Sequence, residues 1–476
     1  MSETQLEMNL NPAAGNRLRE ALERGDFVTL IETQVPSAEM DRAAGLQRIE
    51  ALEKAVLAGS EGYASLALVD NSARPDWKAA ELASGLSEDN RDRHLVYLSG
   101  AEMDEKNVSD LLHVAAHAGL RNIAAVSGEI PEKLRTARGR VAAPFTESTE
   151  ILKMLTSPPF DFYAGATVNP FQYTPYTLLG SYYKMAKKFS CGAGFLVTQA
   201  GWDMLKLQSL IWYLTGRSLF YPRIARLILL SPERADVIRS GGMPGIKLSR
   251  DMKKMLDREL TLSKNQFESV QYRRLELQAA GCRLLGFNGI QICGADIPAK
   301  AEFVIQRVRA ALEEFSSFET WLDEYNAFMA GTEIAPFAGD FQLYDRVLHR
   351  AYPFDAPPET RELPEPEVSL SEKAGYFSKA FLFGETEGQR PGRSGGLKRL
   401  LTGCRGCRVC HLPRKNFICH ETCPMKLLNG ICGDVDADGD CPVTGRECVH
   451  HRILRIAHWR GRLPEQEKLV CSDDCV

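Results

Sequence analysis

The sequence predicts a (β/α)8 TIM barrel followed by a small cysteine-rich domain. From about Phe27 to Arg309, short runs rich in β-branched residues alternate with amphipathic helical stretches, over a length typical of a TIM barrel. Ten of the thirteen cysteines then lie between Cys404 and Cys475. These two observations divide the chain into a large α/β part and a small part with different chemistry.

Eight segments have the composition of buried parallel strands. They are Phe27–Val35, Gly62–Val69, His94–Leu98, Ile123–Val126, Phe162–Val168, Gly194–Gln199, Ile224–Leu230 and Gly289–Cys293. Helical patterns lie between them, such as Pro175–Ser190 and Lys264–Ala280. A doubly wound open sheet is the alternative, but it usually has fewer strands, and no Gly-x-Gly-x-x-Gly motif follows the first strand. We therefore expect a closed barrel.

Composition sets the domain boundaries outside the barrel. Pro353–Pro366 is rich in proline and acidic residues, and Gly384–Gly396 is rich in glycine and arginine, so both are expected to be extended connectors. We predict an N-terminal extension (1–24), the barrel (25–320), a helical segment with linker (321–395) and a metal-binding domain (396–476).

The overall composition excludes several classes of protein. The 476 residues carry a net charge of −4, so no basic field attracts nucleic acid. The polar N-terminus does not resemble a signal peptide, and apolar runs such as Met204–Leu219 are interrupted by charged residues, so no membrane span is expected. We expect a cytoplasmic protein whose thiols are reduced.

Polar residues lie where several predicted strands end, at the mouth of the barrel. Glu32 follows an apolar run in the first strand, Gly128 and Glu129 follow the fourth, Asn169 ends the fifth and Gln199 the sixth. A carboxylate buried in a strand must be paired or take part in proton chemistry. The simpler interpretation is that Glu32 points outward to solvent or forms a structural ion pair. Together, these side chains suit a flat, hydrogen-bonding heterocycle such as a flavin or a pterin.

Four short segments along the predicted barrel carry a family resemblance. They are Thr29–Glu32, His117–Ile123 leading into Val126–Glu129, Phe160–Phe162, and Lys187–Phe195 closing in Thr198-Gln199. In order and spacing they resemble the methylenetetrahydrofolate reductases, from about Phe27 to Gln199. The resemblance implies a non-covalently bound flavin, FAD or FMN, which passes a hydride to a folate iminium at the barrel mouth.

The resemblance also implies roles for individual residues. Glu32 matches the family's proton donor, a role that needs a carboxyl pKa raised toward neutrality. Glu129 matches an aspartate beside flavin and folate, and Gln199 matches a glutamine that binds the pterin. Lys187 and Lys188 match basic positions near the flavin phosphates.

Other flavin-contact positions depart from the family pattern. Ala67 and Leu68 replace a threonine and a tyrosine, Tyr97 replaces a histidine, and Ser127 replaces an arginine. We retain four positions around the mouth as predicted cofactor contacts, namely Asn71, Tyr97, Gly128 and Asn169. The departures leave open the form of the flavin and a direct reaction with NADH or NADPH.

The cysteines of the tail have the spacing of metal ligands. We predict eight of them as ligands: Cys404, Cys407, Cys410, Cys419, Cys423, Cys432, Cys441 and Cys448. The first three resemble the start of a bacterial 4Fe–4S motif, with Cys423-Pro424 as the natural source of the fourth ligand. Zinc is the alternative, with His411 or His420 as a further ligand.

The tail from Leu397 to about Trp459 resembles the cysteine-rich domain that accompanies these reductases in anaerobic and acetogenic bacteria. It has the Cys-x2-Cys-x2-Cys pattern and the Asn-Gly-x-Cys-Gly motif at Asn429–Gly433. An iron–sulfur cluster here implies electron transfer, whereas zinc implies a structural or substrate-binding role. We expect either a homo-oligomer or a complex with a redox partner.

The sequence thus favours a flavin-dependent oxidoreductase that interconverts 5,10-methylenetetrahydrofolate and 5-methyltetrahydrofolate, using NAD(P)H or an external electron-carrier protein. Two alternatives remain. One is a pterin-binding TIM-barrel methyltransferase, which needs no flavin. The other is a catalytically silent barrel that acts as an electron-transfer or binding subunit.

Overall fold

A computed structural model shows a closed barrel of eight parallel strands, which confirms the predicted (β/α)8 fold. The strands are β1 (Val28–Gln34), β2 (Ala64–Val69), β3 (Leu95–Ser99), β4 (Asn122–Val126), β5 (Tyr163–Val168), β6 (Phe195–Thr198), β7 (Arg223–Ile228) and β8 (Gly289–Cys293). Each strand pairs with the next, and β8 closes the barrel on β1 with Val28 opposite Gly289. The structure describes residues 15–37, 39–59, 62–70, 77–129, 144–243, 245–329, 341–344, 357–385, 396–407, 409–436 and 438–470.

Helices follow the strands along the chain. In the described part of the first 330 residues they are α1 (Arg17–Arg24), α2 (Arg42–Ala58), α3 (Ala79–Ala83), α4 (Glu105–His117), α5 (Ser148–Leu155), α6 (Pro175–Ser190), α7 (Met204–Gly216), α8 (Pro232–Arg239), α9 (Arg250–Glu259), α10 (Lys264–Leu284), α11 (Pro298–Glu314) and α12 (Phe318–Phe328). Local sequence sets where several begin. Asp41 caps α2 by accepting a hydrogen bond from the Ala44 amide, and Ser263 with Gln266 forms a capping box on α10.

The short helix α1 closes the bottom of the barrel. Its Leu18, Ala21 and Leu22 are buried and pack with inward-facing strand residues such as Leu30 and Phe195. Part of the segment that we predicted as an N-terminal extension therefore contributes to the barrel core.

The tail is compact and lies against the barrel. It contains α13 (Leu370–Phe383), α14 (Gly396–Thr402), a two-stranded hairpin of β9 (Asp440–Cys441) with β10 (Arg446–Glu447), and α15 (Val449–Trp459). The Tyr176 hydroxyl on α6 lies 2.9 Å from His458 Nδ1 on α15, so tail and barrel share polar as well as apolar contacts. Among the described residues, no helix has the length and apolarity needed to cross a membrane.

Candidate functional site

Glu32 lies inside the barrel and is paired with an arginine on β7. Arg226 donates from Nε and Nη2 to the two carboxylate oxygens, at 2.6 Å each. Gln291 on β8 donates from Nε2 to the same carboxylate at 2.7 Å. A bidentate guanidinium is the strongest partner that a buried carboxylate can have in a protein.

These contacts decide the charge of Glu32. Burial raises the pKa of the carboxyl group, but the charge and hydrogen bonds of Arg226, with hydrogen bonds from Gln291 and Cys293, outweigh burial and lower it. Arg226 in turn has a raised pKa because of Glu32. Our expectation of a Glu32 pKa raised toward neutrality is therefore wrong for this arrangement, because burial came with a counterion that the sequence analysis had not placed.

The same arginine brings the predicted pterin contact into the network. Arg226 Nη1 donates to Gln199 Oε1 at 2.5 Å, and the Tyr97 hydroxyl donates to Gln291 Oε1 at 2.7 Å. We call these five residues, Glu32, Tyr97, Gln199, Arg226 and Gln291, the mouth network. Sequence reasoning missed Arg226 and Gln291, although both are polar residues within apolar strand runs.

The predicted residues of the fourth strand end lie differently. Gly128 has φ +81°, and a Cβ there would lie 2.2 Å from Ser99 Oγ, so the turn requires glycine. Glu129, which follows it, is exposed to solvent rather than buried. Asn71 lies outside the described residues.

Asn169 holds the loop between α8 and α9. Its Nδ2 donates to the Gly245 carbonyl at 2.9 Å, and its Oδ1 accepts from the Phe171 amide at 3.1 Å. The side chain that we predicted as a cofactor contact is thus used to position this loop. Gly245 also borders Gln199, since a Cβ at Gly245 would lie 3.0 Å from Gln199 Nε2.

Lys187 and Lys188 are buried, and their ammonium groups bind backbone oxygens. Lys187 Nζ donates to the Asn429 carbonyl in the tail at 2.8 Å, and Lys188 Nζ donates to the Thr167 carbonyl at 2.7 Å. Burial lowers the pKa of Lys187 well below its usual value and that of Lys188 to about 7. This geometry does not support the predicted contacts with flavin phosphates.

The junction between barrel and tail is built on one carboxylate. Glu147, just before α5, accepts hydrogen bonds from the amides of Leu428 and Asn429 at 3.0 and 3.1 Å. It also pairs with Lys184 at 2.9 Å, and the charge and hydrogen bonds of these partners outweigh burial and lower its pKa. The Asn-Gly-x-Cys-Gly motif therefore docks the tail on the barrel.

Asn429, the first residue of that motif, is fully buried. Its side chain accepts from the Val470 amide at 2.9 Å and donates to the Val470 carbonyl at 3.0 Å. Gly430 follows with φ +153° and lies against Lys184, since a Cβ there would be 3.1 Å from the lysine Cβ. A side chain at Gly430 would press on the lysine that pairs with Glu147.

Four cysteines of the tail line one cavity, and we call them the inner thiol group: Cys423, Cys432, Cys441 and Cys448. Burial and the neighbouring thiols raise the pKa of Cys423 to about 11 and that of Cys448 to about 12. The four thiols are thus close enough to influence one another electrostatically. Such a set suits a metal, whose charge would favour the thiolates.

The other four predicted ligands form an outer thiol group: Cys404, Cys407, Cys410 and Cys419. Burial and the three neighbouring thiols raise the pKa of Cys407 to about 12. Cys423, which we predicted as the fourth ligand of this set, lines the cavity of the inner group, and Cys419 is the fourth thiol near Cys407. The turn His420–Thr422 lies between Cys419 and Cys423.

The division into an inner and an outer thiol group rests on which thiols line one cavity or raise one another's pKa, and not on metal–ligand geometry. In the described part of the chain, no three Cys, His, Asp or Glu side chains converge as a ready-made metal site. The alternative zinc ligands His411 and His420 lie with their ring centres 6.0 Å apart. The eight cysteines therefore remain predicted ligands, divided four and four.

The inner thiol group lies beside the barrel mouth. A Cβ at Gly245, the residue that borders Gln199, would lie 3.7 Å from the Gly433 carbonyl, next to Cys432. Lys247 bridges the same gap by donating to Gln172 Oε1 at 2.5 Å and to the Asp436 carbonyl at 3.1 Å. The loop between α8 and α9 thus contacts the mouth network on one side and the metal-binding domain on the other.

Comparisons with known proteins agree with a folate-related tail. Residues 386–475 match the family model described as "Methylene-tetrahydrofolate reductase C terminal". No curated protein matches the sequence.

Among solved structures, the chain is similar to an uncharacterised protein from Clostridium thermocellum that binds two copies of 5-methyl-5,6,7,8-tetrahydrofolic acid. That similarity has 12% identity and a TM-score of 0.45, over 62% of this chain and 99% of the other. It is also similar to the 7,8-dihydropteroate synthase of Vibrio fischeri ES114, with 13% identity and a TM-score of 0.35, over 61% and 95%. The similarity to the methylenetetrahydrofolate reductase C-terminal family is thus carried by the cysteine-rich tail, residues 386–475.

Proposed function

We propose that this protein is a folate-binding, electron-transferring subunit in the interconversion of 5,10-methylenetetrahydrofolate and 5-methyltetrahydrofolate. The observation that carries the proposal is the position of the inner thiol group, where Cys432-Gly433 lies against the loop that contacts Gln199. A metal domain beside the mouth of a TIM barrel is placed to exchange electrons with whatever binds there.

The tail supplies the redox chemistry in this proposal. We assign the two groups of four thiols, all partly or fully buried, to two metal sites, and an iron–sulfur cluster bound there would supply one-electron transfer. Zinc would give the tail a structural role instead. Membership of the tail in the reductase C-terminal family supports a link to folate redox chemistry.

The barrel supplies the folate site. We assign Gln199, whose Nε2 lies beside the loop at Gly245, to the pterin ring. Glu32 is ionised and paired with Arg226, so in this arrangement it orients neighbouring groups and does not donate a proton. Because Asn169, Lys187 and Lys188 bind protein carbonyls, this proposal takes the flavin from a partner flavoprotein that docks at the barrel mouth. That flavin would exchange the hydride directly with the bound folate, and the tail would exchange two electrons, one at a time, with the flavin.

A second candidate is a complete reductase with its own flavin. The observation that favours it is the convergence of Glu32 and Gln199, both implied by the family resemblance, on the single guanidinium of Arg226. Displacement of Arg226 by bound folate would free Glu32 from its counterion and raise its pKa.

One experiment separates the two candidates. The protein is purified without oxygen, and its visible spectrum is recorded before and after addition of 5-methyltetrahydrofolate. Broad iron–sulfur absorption without a flavin band, together with folate binding by calorimetry, supports the subunit. A flavin band bleached by the folate supports the complete reductase, and absence of folate binding contradicts both.

The metal assignment makes its own prediction. Cys407→Ser should remove the metal of the outer group and Cys432→Ser that of the inner group, so each variant should lose about half of the bound iron, because a structural site closes only with its full ligand set. Iron content and visible absorption measure the loss. Cys282→Ser, at a buried thiol of the barrel core, is the matched control and should keep all the metal. A colourless wild-type protein with stoichiometric zinc would overturn the iron–sulfur assignment.

A further inference from the structure

We propose that an exposed apolar face beside the outer thiol group docks a small acidic electron-carrier protein. Exposed apolar side chains of α13 and α14 flank this thiol group, and we call them together the docking face: Phe377, Phe381, Leu382, Leu397, Leu400 and Leu401. The proposal rests on the electron-transfer function above and adds the class of partner and the surface that binds it.

The exposure of these side chains is unusual for their size. Phe381 is 90% exposed and Leu400 is 81% exposed. On α13, Tyr376 and Phe383 are buried against the tail core, whereas Phe377 and Phe381 point to solvent. A helix with large apolar residues on both sides is typically covered on both, so the open side indicates a partner.

The docking face borders the outer thiol group. Phe383 on α13 belongs to the same buried cluster as Cys410 and Cys419. From α14, Lys398 Nζ donates to Cys410 Sγ at 3.3 Å. Both helices that carry the face therefore also cover these thiols, so a protein bound there would lie next to them.

The charges around the face are complementary to an acidic partner. The stretch 396–405 contains Lys398, Arg399 and Arg405 and no acidic residue. Of these, Arg399 and Arg405 are exposed. On α13 the acidic Glu372 is already paired with Arg455 at 2.7 Å. A basic rim around an apolar centre accelerates association with an acidic protein and fixes its orientation.

The position of the two thiol groups favours an electron carrier as the occupant. The inner group faces the barrel mouth, and the outer group lies under the docking face. Cys419 and Cys423 are four residues apart, a separation of at most about 14 Å for an extended chain, so the groups are neighbours. A second copy of this chain would bring the same basic rim into a symmetric contact, which places like charges together.

The test uses the full-length protein purified without oxygen, with a small acidic ferredoxin as the probe. Calorimetry should show binding that weakens as salt is added, over a range of about 50 to 200 mM, and stopped-flow absorbance should show reduction of the tail by reduced ferredoxin. Phe381→Ser with Leu400→Ser should weaken binding at least tenfold, and Arg399→Glu should reduce both the association rate and its salt dependence. Phe220→Ser, at a 70% exposed phenylalanine before β7, is the matched control and should change neither.

Each other outcome overturns the proposal. Unchanged ferredoxin binding by the double variant excludes the face. Sedimentation with anionic vesicles that the double variant abolishes would identify a membrane surface as the occupant, and a dimer that the same variant dissociates would identify a second copy. If the protein shows iron–sulfur absorption and binds 5-methyltetrahydrofolate but does not bind ferredoxin, the docking proposal alone fails. If it binds neither folate nor ferredoxin, the proposed function fails as well.

Discussion

The barrel mouth and the barrel–tail junction both bury charged groups, but with different charge balance. At the mouth, Glu32 is matched by one guanidinium, Arg226, which satisfies both carboxylate oxygens. At the junction, Glu147 is the carboxylate nearest to several buried lysines, among them Lys184 and Lys187. Lys187 instead depends on a backbone carbonyl of the tail.

The difference shows how each region is held together. The mouth network is electrically balanced within the barrel, so it is complete without the tail. The junction has more basic than acidic side chains, and the tail supplies the Asn429 carbonyl to Lys187 and the amides of Leu428 and Asn429 to Glu147. The tail is thus required to satisfy polar groups that the barrel buries, which fixes the inner thiol group beside the mouth.

The largest expected effect comes from removing the charge balance at the barrel mouth. Arg226→Met leaves Glu32 buried without its counterion, which costs about 3–5 kcal/mol in the free energy of unfolding. The pKa of Glu32 then rises, because burial is no longer outweighed, so the variant should be most stable at acidic pH and lose stability as the pH rises. Chemical denaturation from pH 5 to pH 8 measures both effects.

The double variant Glu32→Gln with Arg226→Met is the control for this prediction. It removes both charges and should recover much of the lost stability, because neither group is left ionised and unpaired. A single variant as stable as the wild type would show that the pair does not hold the mouth together.

A smaller effect is expected at the junction. Glu147→Gln removes the negative charge beside Lys184 and weakens the hydrogen bonds from two tail amides, at a cost of about 2 kcal/mol. Because the loss falls on the contact between barrel and tail, hydrogen exchange at 427–431 should accelerate while the barrel strands remain protected. Glu150→Gln, at the half-buried partner of Lys153, is the control and should leave the exchange unchanged. Equal acceleration in the barrel strands would contradict a separate junction.

The fold was predictable from the sequence because each strand is a short apolar run and each helix has its own periodic pattern. All eight predicted strands are present within one or two residues of their predicted ends in the structure. Burial of Glu32 was predictable for the same reason, since it lies within such a run.

The partners of Glu32 were not predictable in the same way. Arg226 and Gln291 are adjacent to it only because the barrel closes, with β8 pairing β1 and β7 pairing β8. The buried lysines were assigned from a family resemblance to a different contact, and the tail that covers them follows more than two hundred residues later. Contacts between distant segments are what a local sequence pattern does not contain.

The last expected effect is a change in how stability depends on pH. Burial lowers the pKa of Lys188 from 10.5 to about 7, so between pH 7 and about 10 the unfolded chain binds a proton that the folded chain does not. Stability should therefore rise with pH over this window. Lys188→Met removes this contribution and should flatten the rise in Tm between pH 7 and pH 9.5.

The rise in Tm should persist in part, since burial also lowers the pKa of Lys247 and Lys415 to about 8. If Tm rises with pH as steeply in Lys188→Met as in the wild type, Lys188 is charged in the folded protein. The junction would then depend still more on the carbonyl groups around its lysines.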